Sequence, residues 1–499
     1  MSSDNGGIIG VVNDPTSTVA SGVWQQEEQY EAKVNGTWPQ RALFTTKSLR
    51  FDDGSSDYLT ESVSSTSNRR TFTYSTWIKR SSLSGSGYPR LFNPFVNSSN
   101  FFDIFFRDTD TLNVYSENGG SNDMNLVTNA LFRDLSAWYH IVVAVDTTQG
   151  TDSNRVKLYV NGTQETSFSA ATYPSQNTDF QINLDTVTNV IGRNQAGSDN
   201  YFDGYMSETI FIDGQQLAPT SFGSTNSDGV WIPAIYTGTF GTNGFNLQFE
   251  NASALGTDSS SNGNNFTVNN LTSIDQSTDY PEVNFATWSP LFGGNAQYAT
   301  FSEGNLKLDG NNNSNAGCNL NSTIAASSGK YYMEIKAIDI QGNSYPSVGV
   351  IMEDDVYISL GQVGGNPNSV SYGPGGQKLI NGSTSSYGDT FTDNDIIGIA
   401  LDLDNGAVYF SKNGTFQASG DPTSGSSRTN AAYTFTASSK VYYFAATVYQ
   451  STAIISANFG SPSYAISSGN SDGNGYGNFE YAVPSGYYAL NTANLAEFG

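Results

Sequence analysis

His140 is the only histidine in a chain of 499 residues, and Cys318 is the only cysteine. Nucleophilic catalysis by Ser-His-Asp or Cys-His needs an imidazole that a second reactive group can reach. His140 sits in Trp138-Tyr-His-Ile-Val-Val-Ala-Val-Asp146, a β-branched run too rich in valine for a helix. It is expected to be a packed core histidine and not a ligand. One histidine and one cysteine in different parts of the chain do not make a zinc site either. Glycoside hydrolysis needs two carboxylates flanking the scissile bond. The string Glu353-Asp354-Asp355 reads as a solvated turn. No catalytic residue is expected, and the chain is read as a non-enzyme.

Binding chemistry has better candidates. Sugar recognition pairs an aromatic ring with hydrogen bonds from Asn, Asp or backbone. Tyr345, Tyr357, Tyr372 and Tyr387 stand beside or near turn residues and are the candidate ligand contacts. Trp24, Tyr30 and Trp38 are too many aromatics for a disordered tail. Ser21 to Val34 has helical spacing, with Val23, Gln26, Tyr30 and Val34 on one face and Ser21 as cap. A helix this short is marginal alone. Residues 1–45 are therefore expected to form an arm that docks on a partner chain or a sister subunit.

The elements that position these residues are strands. Charged residues make up only 13% of the chain. Asp53-Gly54, Asn118-Gly119, Asp203-Gly204, Asp213-Gly214, Asn381-Gly382 and Asn405-Gly406 punctuate it as tight turns do. The class is all-β: two antiparallel β-sandwich, or jelly-roll, domains in tandem after a short N-terminal arm containing a small helix. Tyr139, Ile141, Val143 and Val145 alternate with Trp138, Val142 and Ala144, so both faces of that strand are apolar. Such a strand lies between two layers. Asn161-Gly162 turns the following strand back. Asp395 to Asp402 and Ala407 to Thr415, with Asn413-Gly414, repeat the pattern. The expected division is an arm over 1–45, a sandwich over 46–250, a proline-braced linker over 251–290 and a second sandwich over 291–499.

The formal charge is −25, from 46 acidic and 21 basic residues. Nucleic-acid binding needs clustered cations, and no basic run exceeds a pair such as Arg69-Arg70, so no nucleic-acid partner is expected. A single cysteine allows no intrachain disulfide; a buried free thiol is expected. No apolar stretch follows Met1, so neither a secretory signal nor membrane insertion is expected. The chain would be made in the cytoplasm of its host cell and leave by lysis or on a virus particle.

Ser75-Thr-Trp77-Ile78, Trp138-Tyr-His140, Asp146, Leu158-Tyr-Val-Asn-Gly162, Ile191-Gly192 and Phe202-Asp-Gly204 resemble the laminin-G-like, or concanavalin-A-like, lectin fold. Gly329-Lys-Tyr-Tyr-Met-Glu-Ile335, Val348-Gly-Val350, Ser371-Tyr-Gly373, Gly388-Asp-Thr-Phe391, Asp395 to Asp402, Tyr409 to Gly414, Tyr443-Phe444 and Asn458-Phe-Gly460 resemble a SPRY domain. The usual tryptophans of eukaryotic SPRY members are absent, so no peptide specificity carries over. The tandem resembles virion proteins of tailed phages of marine bacteria. That resemblance implies a surface-exposed structural or adhesion protein, a tail fibre or related appendage, with a capsid decoration protein as the alternative. It implies other virion proteins as partners, a homo-oligomer with three copies favoured, and a host-surface glycan as ligand.

Laminin-G-like modules often hold calcium at the sandwich rim. Asp108 with Asp110, and Asp199 with Asn200 and Asp203, lie in expected loops and are the candidates, although surface turns explain them as well. No cofactor is otherwise expected. Concanavalin-like glucanases carry Glu-x-Asp-x-x-Glu on one strand, and this string is absent. Carboxylates converging from separate loops keep a glycan-degrading enzyme open as a second reading.

Overall fold

The structure, a computed structural model, describes residues 46–85, 87–291, 299–310, 318–340, 346–355, 362–437, 440–448 and 453–499. Trp24, Tyr30, Trp38, Tyr345 and Tyr357 lie outside them, as does the expected N-terminal helix. Strands dominate what is described, at 43% against 6% helix, and they form two β-sandwiches.

In the first sandwich, one sheet runs Thr163–Glu165, Val156–Val160, Tyr139–Asp146, Thr71–Arg80, Gly204–Asp213, Ser48–Phe51, Gln276–Ser277. The facing sheet runs Phe168–Thr172, Ser121–Leu131, Thr111–Asn118, Asn100–Phe106, Arg90–Phe92, Thr188–Ile191, Tyr58–Ser62, Thr267–Asn269. Alternation sends Phe72, Tyr74 and Ile78 into the core, against Ile141, Val143 and Val145 of the neighbouring strand. They meet Phe102, Ile104, Phe106 and Val114 from the other sheet. Tyr74 stacks on Phe92 with centroids 4.7 Å apart.

Both faces of Tyr139–Asp146 are buried, as its composition requires. Val142 packs with Ile210, Ile212 and Phe222 beneath the 215–240 segment. Trp138 packs with Trp77 and Tyr205. The sheet face that would otherwise meet water is covered by the chain's own return.

The second sandwich sets Ala299–Ser302, Lys307–Gly310, Ile454–Asn458, Lys330–Asp339, Ile396–Asp402, Ala407–Lys412 and Thr415–Phe416 against a sheet of Cys318–Asn321, Tyr442–Val448, Ser347–Met352, Ser369–Tyr372, Gln377–Ile380 and Ser383–Ser386. Tyr331, Met333 and Ile335 point inward. Tyr332 points the other way and is covered by Phe479, Tyr487 and Ala489 of the C-terminal segment. A helix, Thr492–Phe498, closes the chain, with the Asn491 side chain accepting from Asn494 N as its N-cap.

The two sandwiches share a hairpin device. Asn161 (φ 48°) and Gly162 (φ 79°) both take positive φ, as do Asn413 (φ 48°) and Gly414 (φ 79°). Only turn-forming residues tolerate this pair of conformations. Asn161 receives the His140 N–H on its side chain at 2.8 Å and gives its own N–H to His140 O at 2.9 Å. Asn413 does the same with Ile396, at 2.9 and 2.8 Å.

The expected linker over 251–290 is corrected by the pairing. Thr267–Asn269 pairs with Tyr58–Ser62, and Gln276–Ser277 pairs with Ser48–Phe51, so both belong to the first sandwich. Val283, Phe285, Ala286 and Trp288 are buried in the second. Backbone polar groups in a crossing between two large bodies need partners, and strand edges supply them. What is left between the sandwiches is a few residues around Asp279.

The sandwiches meet across a polar, buried seam. Arg50 is fully buried and donates to Ile274 O at 3.1 Å, Asp275 at 3.2 Å and Glu303 at 3.1 Å. Tyr205 donates to Gly304 O at 2.9 Å, and Asn305 to Ser81 O at 2.7 Å. Gly304 (φ +65°) leaves no room for a Cβ against the Tyr205 hydroxyl.

Candidate functional site

The facing sheet of the first sandwich has an outer surface built by strand alternation. Phe102, Ile104 and Phe106 enter the core, so Phe101, Asp103 and Phe105 face outward. Register then lines up three cross-strand rows. Phe101 lies opposite Glu117. Asp103 lies opposite Tyr115, which lies opposite Asn125. Arg90 lies opposite Phe105, which lies opposite Asn113. Directly opposed side chains interact, so each row is one chemical unit.

The groups bond among themselves along this face. Arg90 Nε donates to Asp103 Oδ2 at 2.9 Å, and its guanidinium lies 4.4 Å from the Phe105 ring centroid. Tyr115 donates to Glu117 at 2.7 Å, and Asn113 Nδ2 to Asn125 at 2.9 Å. Asp103 is 1% exposed and its Oδ1 has no hydrogen-bond partner. An orphaned buried carboxylate oxygen is costly, and here it is sealed beneath the face rather than presented on it. Burial pushes the Asp103 carboxyl up to about 6, against the pull of Arg90. The partly exposed groups of this surface are Phe101, Tyr115, Glu117 and Asn125, aromatic rings with an amide and a carboxylate beside them, which is the chemistry of sugar recognition.

This site was missed from sequence. The signal was present in Asn100–Phe106, where a carboxylate interrupts an otherwise aromatic and aliphatic strand.

The tyrosines expected to bind are placed differently. Tyr372 is wholly buried, stacks on Phe410 at 5.6 Å and donates its hydroxyl to Asp389 O. Tyr387 is partly buried against the same core, edge-on to Tyr372 at 5.7 Å, with Lys378 Nζ 5.3 Å from its ring centroid. The turn glycines beside them let the chain reverse while the rings go inward, so Tyr372 is a core residue rather than a ligand contact.

The calcium candidates are also rearranged. Asp110 is occupied by Arg80 and Arg133, each at 3.0 Å, while Asp108 is exposed. Asp199 accepts from Asn194 at 2.9 Å and Asn200 Oδ1 from Tyr88 N at 2.7 Å, so these two orient loops. Asp203 instead meets Asp52 and Asp53, with carboxylate oxygens within 4.8 Å of one another. Burial, then the charges of Asp53 and Asp52, hold the Asp203 carboxyl well above its usual range. Such a group can share a cation or a proton. His140 is fully buried, as expected, and burial drives its imidazole down to about 3.

The fold defines two β-sandwich modules in tandem. Residues 53–218 match the family model of the concanavalin A-like lectin/glucanases superfamily, and residues 330–462 match that of the SPRY domain. The chain therefore carries a concanavalin-like domain followed by a SPRY domain. Among solved structures it is similar to the SPRY domain of human HERC1, at 18% identity over 30% of this chain and 87% of that chain, with a TM-score of 0.25. It is similar to stonustoxin at 18% identity over 35% of this chain and 27% of that chain, with a TM-score of 0.26. It is similar to a native heptameric SAP-like pentraxin from Limulus polyphemus at 18% identity over 32% of this chain and 71% of that chain, with a TM-score of 0.23. Among the described residues no helix is long and apolar enough to cross a membrane.

Proposed function

We propose that this protein is a non-catalytic adhesion and display protein that binds a host-surface glycan through the outer face carrying Tyr115, Glu117 and Asn125. The carrying observation is the register that sets Tyr115 opposite Asn125, both partly exposed, with Glu117 bonded to the Tyr115 hydroxyl beside them. Individually weak contacts of this kind gain strength from copy number. The sequence resemblance supports a place on the particle of a tailed phage, as a fibre-type appendage or a capsid decoration, in several copies and anchored by residues 1–45. Binding of host polysaccharides, measured by calorimetry, tests the site. Tyr115→Ala and Asn125→Ala should each weaken binding about tenfold or more, with the fold retained. Unchanged binding in both variants would remove this face from consideration. Labelling of particles with antibody to the chain tests the virion role.

A further inference from the structure

Lys79 lies near the end of the Thr71–Arg80 strand and is 1% exposed. Its Nζ donates to Asp279 Oδ2 at 2.5 Å, to Asn284 Oδ1 at 2.8 Å and to Phe285 O at 3.2 Å. Asp279 is also 1% exposed, and its Oδ1 accepts the Trp138 indole N–H at 3.1 Å. The Tyr205 ring centroid is 5.2 Å from Nζ, and Trp77, Trp138 and Tyr205 form a buried cluster alongside. A primary amine, a carboxamide and a carboxyl group thus meet in an aromatic, water-poor site between the sandwiches.

A buried ion pair of this kind is a poor source of stability, because desolvation offsets most of the attraction. The third group makes the site chemically distinctive. With Nζ hydrogen-bonded to Oδ1, the Asn284 carbonyl carbon is no more than about 4 Å from the nitrogen. Groups held this close react as if at very high concentration. Burial raises the Asp279 carboxyl, opposed by the Lys79 cation, which makes Asp279 a stronger proton acceptor than an exposed carboxylate.

We propose that Lys79 and Asn284 are joined by an intramolecular amide bond that the folded chain forms itself, with Asp279 as the acid–base catalyst. Asp279 takes a proton from the Lys79 ammonium. The freed Nζ lone pair attacks Asn284 Cγ, and the C=O electron pair moves onto Oδ1. Asp279 delivers the proton it took to Asn284 Nδ2. The Cγ–Nδ2 bond breaks as the carbonyl reforms, and ammonia leaves. The new amide nitrogen gives up its extra proton, through Asp279, to the departing ammonia. An ammonium and a carboxamide become a secondary amide and an ammonium ion; nothing is oxidised or reduced. Asn284 is only partly buried, which gives ammonia an exit. The bond would tie a central strand of the first sandwich to the segment that enters the second, in a chain whose single cysteine allows no intrachain disulfide. It does not rest on the glycan-binding reading.

Intact-mass measurement of the denatured full-length chain tests this. The expected mass is about 17 Da below the sequence mass, the loss of one ammonia. Proteolysis should then yield one branched peptide joining the Lys79 and Asn284 segments. Asp279→Asn and Lys79→Arg should each restore the mass expected without ammonia loss. The full sequence mass in the wild-type chain would overturn the proposal and leave a buried ion pair. So would an ammonia loss that maps to an Asn-Gly succinimide instead of the branched peptide. A cross-link that persists in Asp279→Asn would overturn the catalytic role given to Asp279. Because the main readout is on the wild-type chain, a variant that fails to fold does not blunt the test.

Discussion

The indole N–H of Trp231 donates to Nδ1 of His140 at 3.0 Å. That bond makes Nδ1 the unprotonated nitrogen, so Nε2 carries the hydrogen and donates to Ser75 Oγ at 2.9 Å. The ring is also stacked on Trp77, with centroids 4.6 Å apart and planes 16° from parallel. Both nitrogens and one face of the only imidazole are thereby engaged, and neither a metal nor a nucleophile can use it.

The first prediction concerns that ring. Burial holds its folded pKa near 3, below the unfolded value of 6.5, so the ring should stay neutral and Nε2-protonated down to about pH 5. Nitrogen-detected NMR of the single imidazole reads this directly; titration near 6.5 would contradict the geometry. Trp231→Phe leaves Nδ1 without a donor and should cost about 1–3 kcal/mol.

The second concerns pH and stability. Burial raises Asp57 and Glu334 to about 7 and Asp103 to about 6, above their unfolded values of 3.8, 4.5 and 3.8. A carboxyl raised on folding stabilises the protein at low pH and loses that contribution as pH rises through its folded pKa. His140 acts oppositely: its contribution is complete above 6.5 and is lost as pH falls toward 3. Three carboxyls outweigh one histidine, so stability should increase by about 2 kcal/mol from pH 7 to 5.5. Denaturant melts at the two pH values check the sign. Glu334→Gln should flatten the rise, and should cost about 1–3 kcal/mol, because Glu334 accepts the N–H groups of both Glu480 and Tyr481 and an amide nitrogen cannot.

The third concerns the domain boundary. Trp288 is fully buried in the second core and Phe285 is 2% exposed. A fragment of residues 280–499 should unfold cooperatively. One of residues 291–499 loses both rings and should be less stable by about 3 kcal/mol or more. Equal melting midpoints for the two fragments would show that these side chains do not contribute as packed.

The fourth concerns the first core. Val143 is fully buried between the two sheets. Val143→Ala should destabilise by about 1–3 kcal/mol through lost burial and a cavity, read as a lowered denaturation midpoint.

Local patterning determined much of this protein. Trp138 to Gly162 announces an inner strand and its hairpin because alternation and the Asn-Gly pair are local signals, set by side-chain period and positive φ. The same signals marked Asp395 to Gly414. They also showed His140 to be a core residue, and they showed which face of Lys330–Asp339 carries Tyr331, Met333 and Ile335. Tertiary structure alone decided which distant residues meet. Asp103 acquires Tyr115 and Arg90 only through register between strands, which no single segment encodes. The short strands Thr267–Asn269 and Gln276–Ser277 have too few residues to show a period, so they resembled a linker until pairing claimed them. Tyr372 looked available beside its turn glycine, yet packing turned its ring inward. Lys79, Asp279 and Asn284 are remote in sequence and individually unremarkable; they became one chemical site because two sandwiches buried them together.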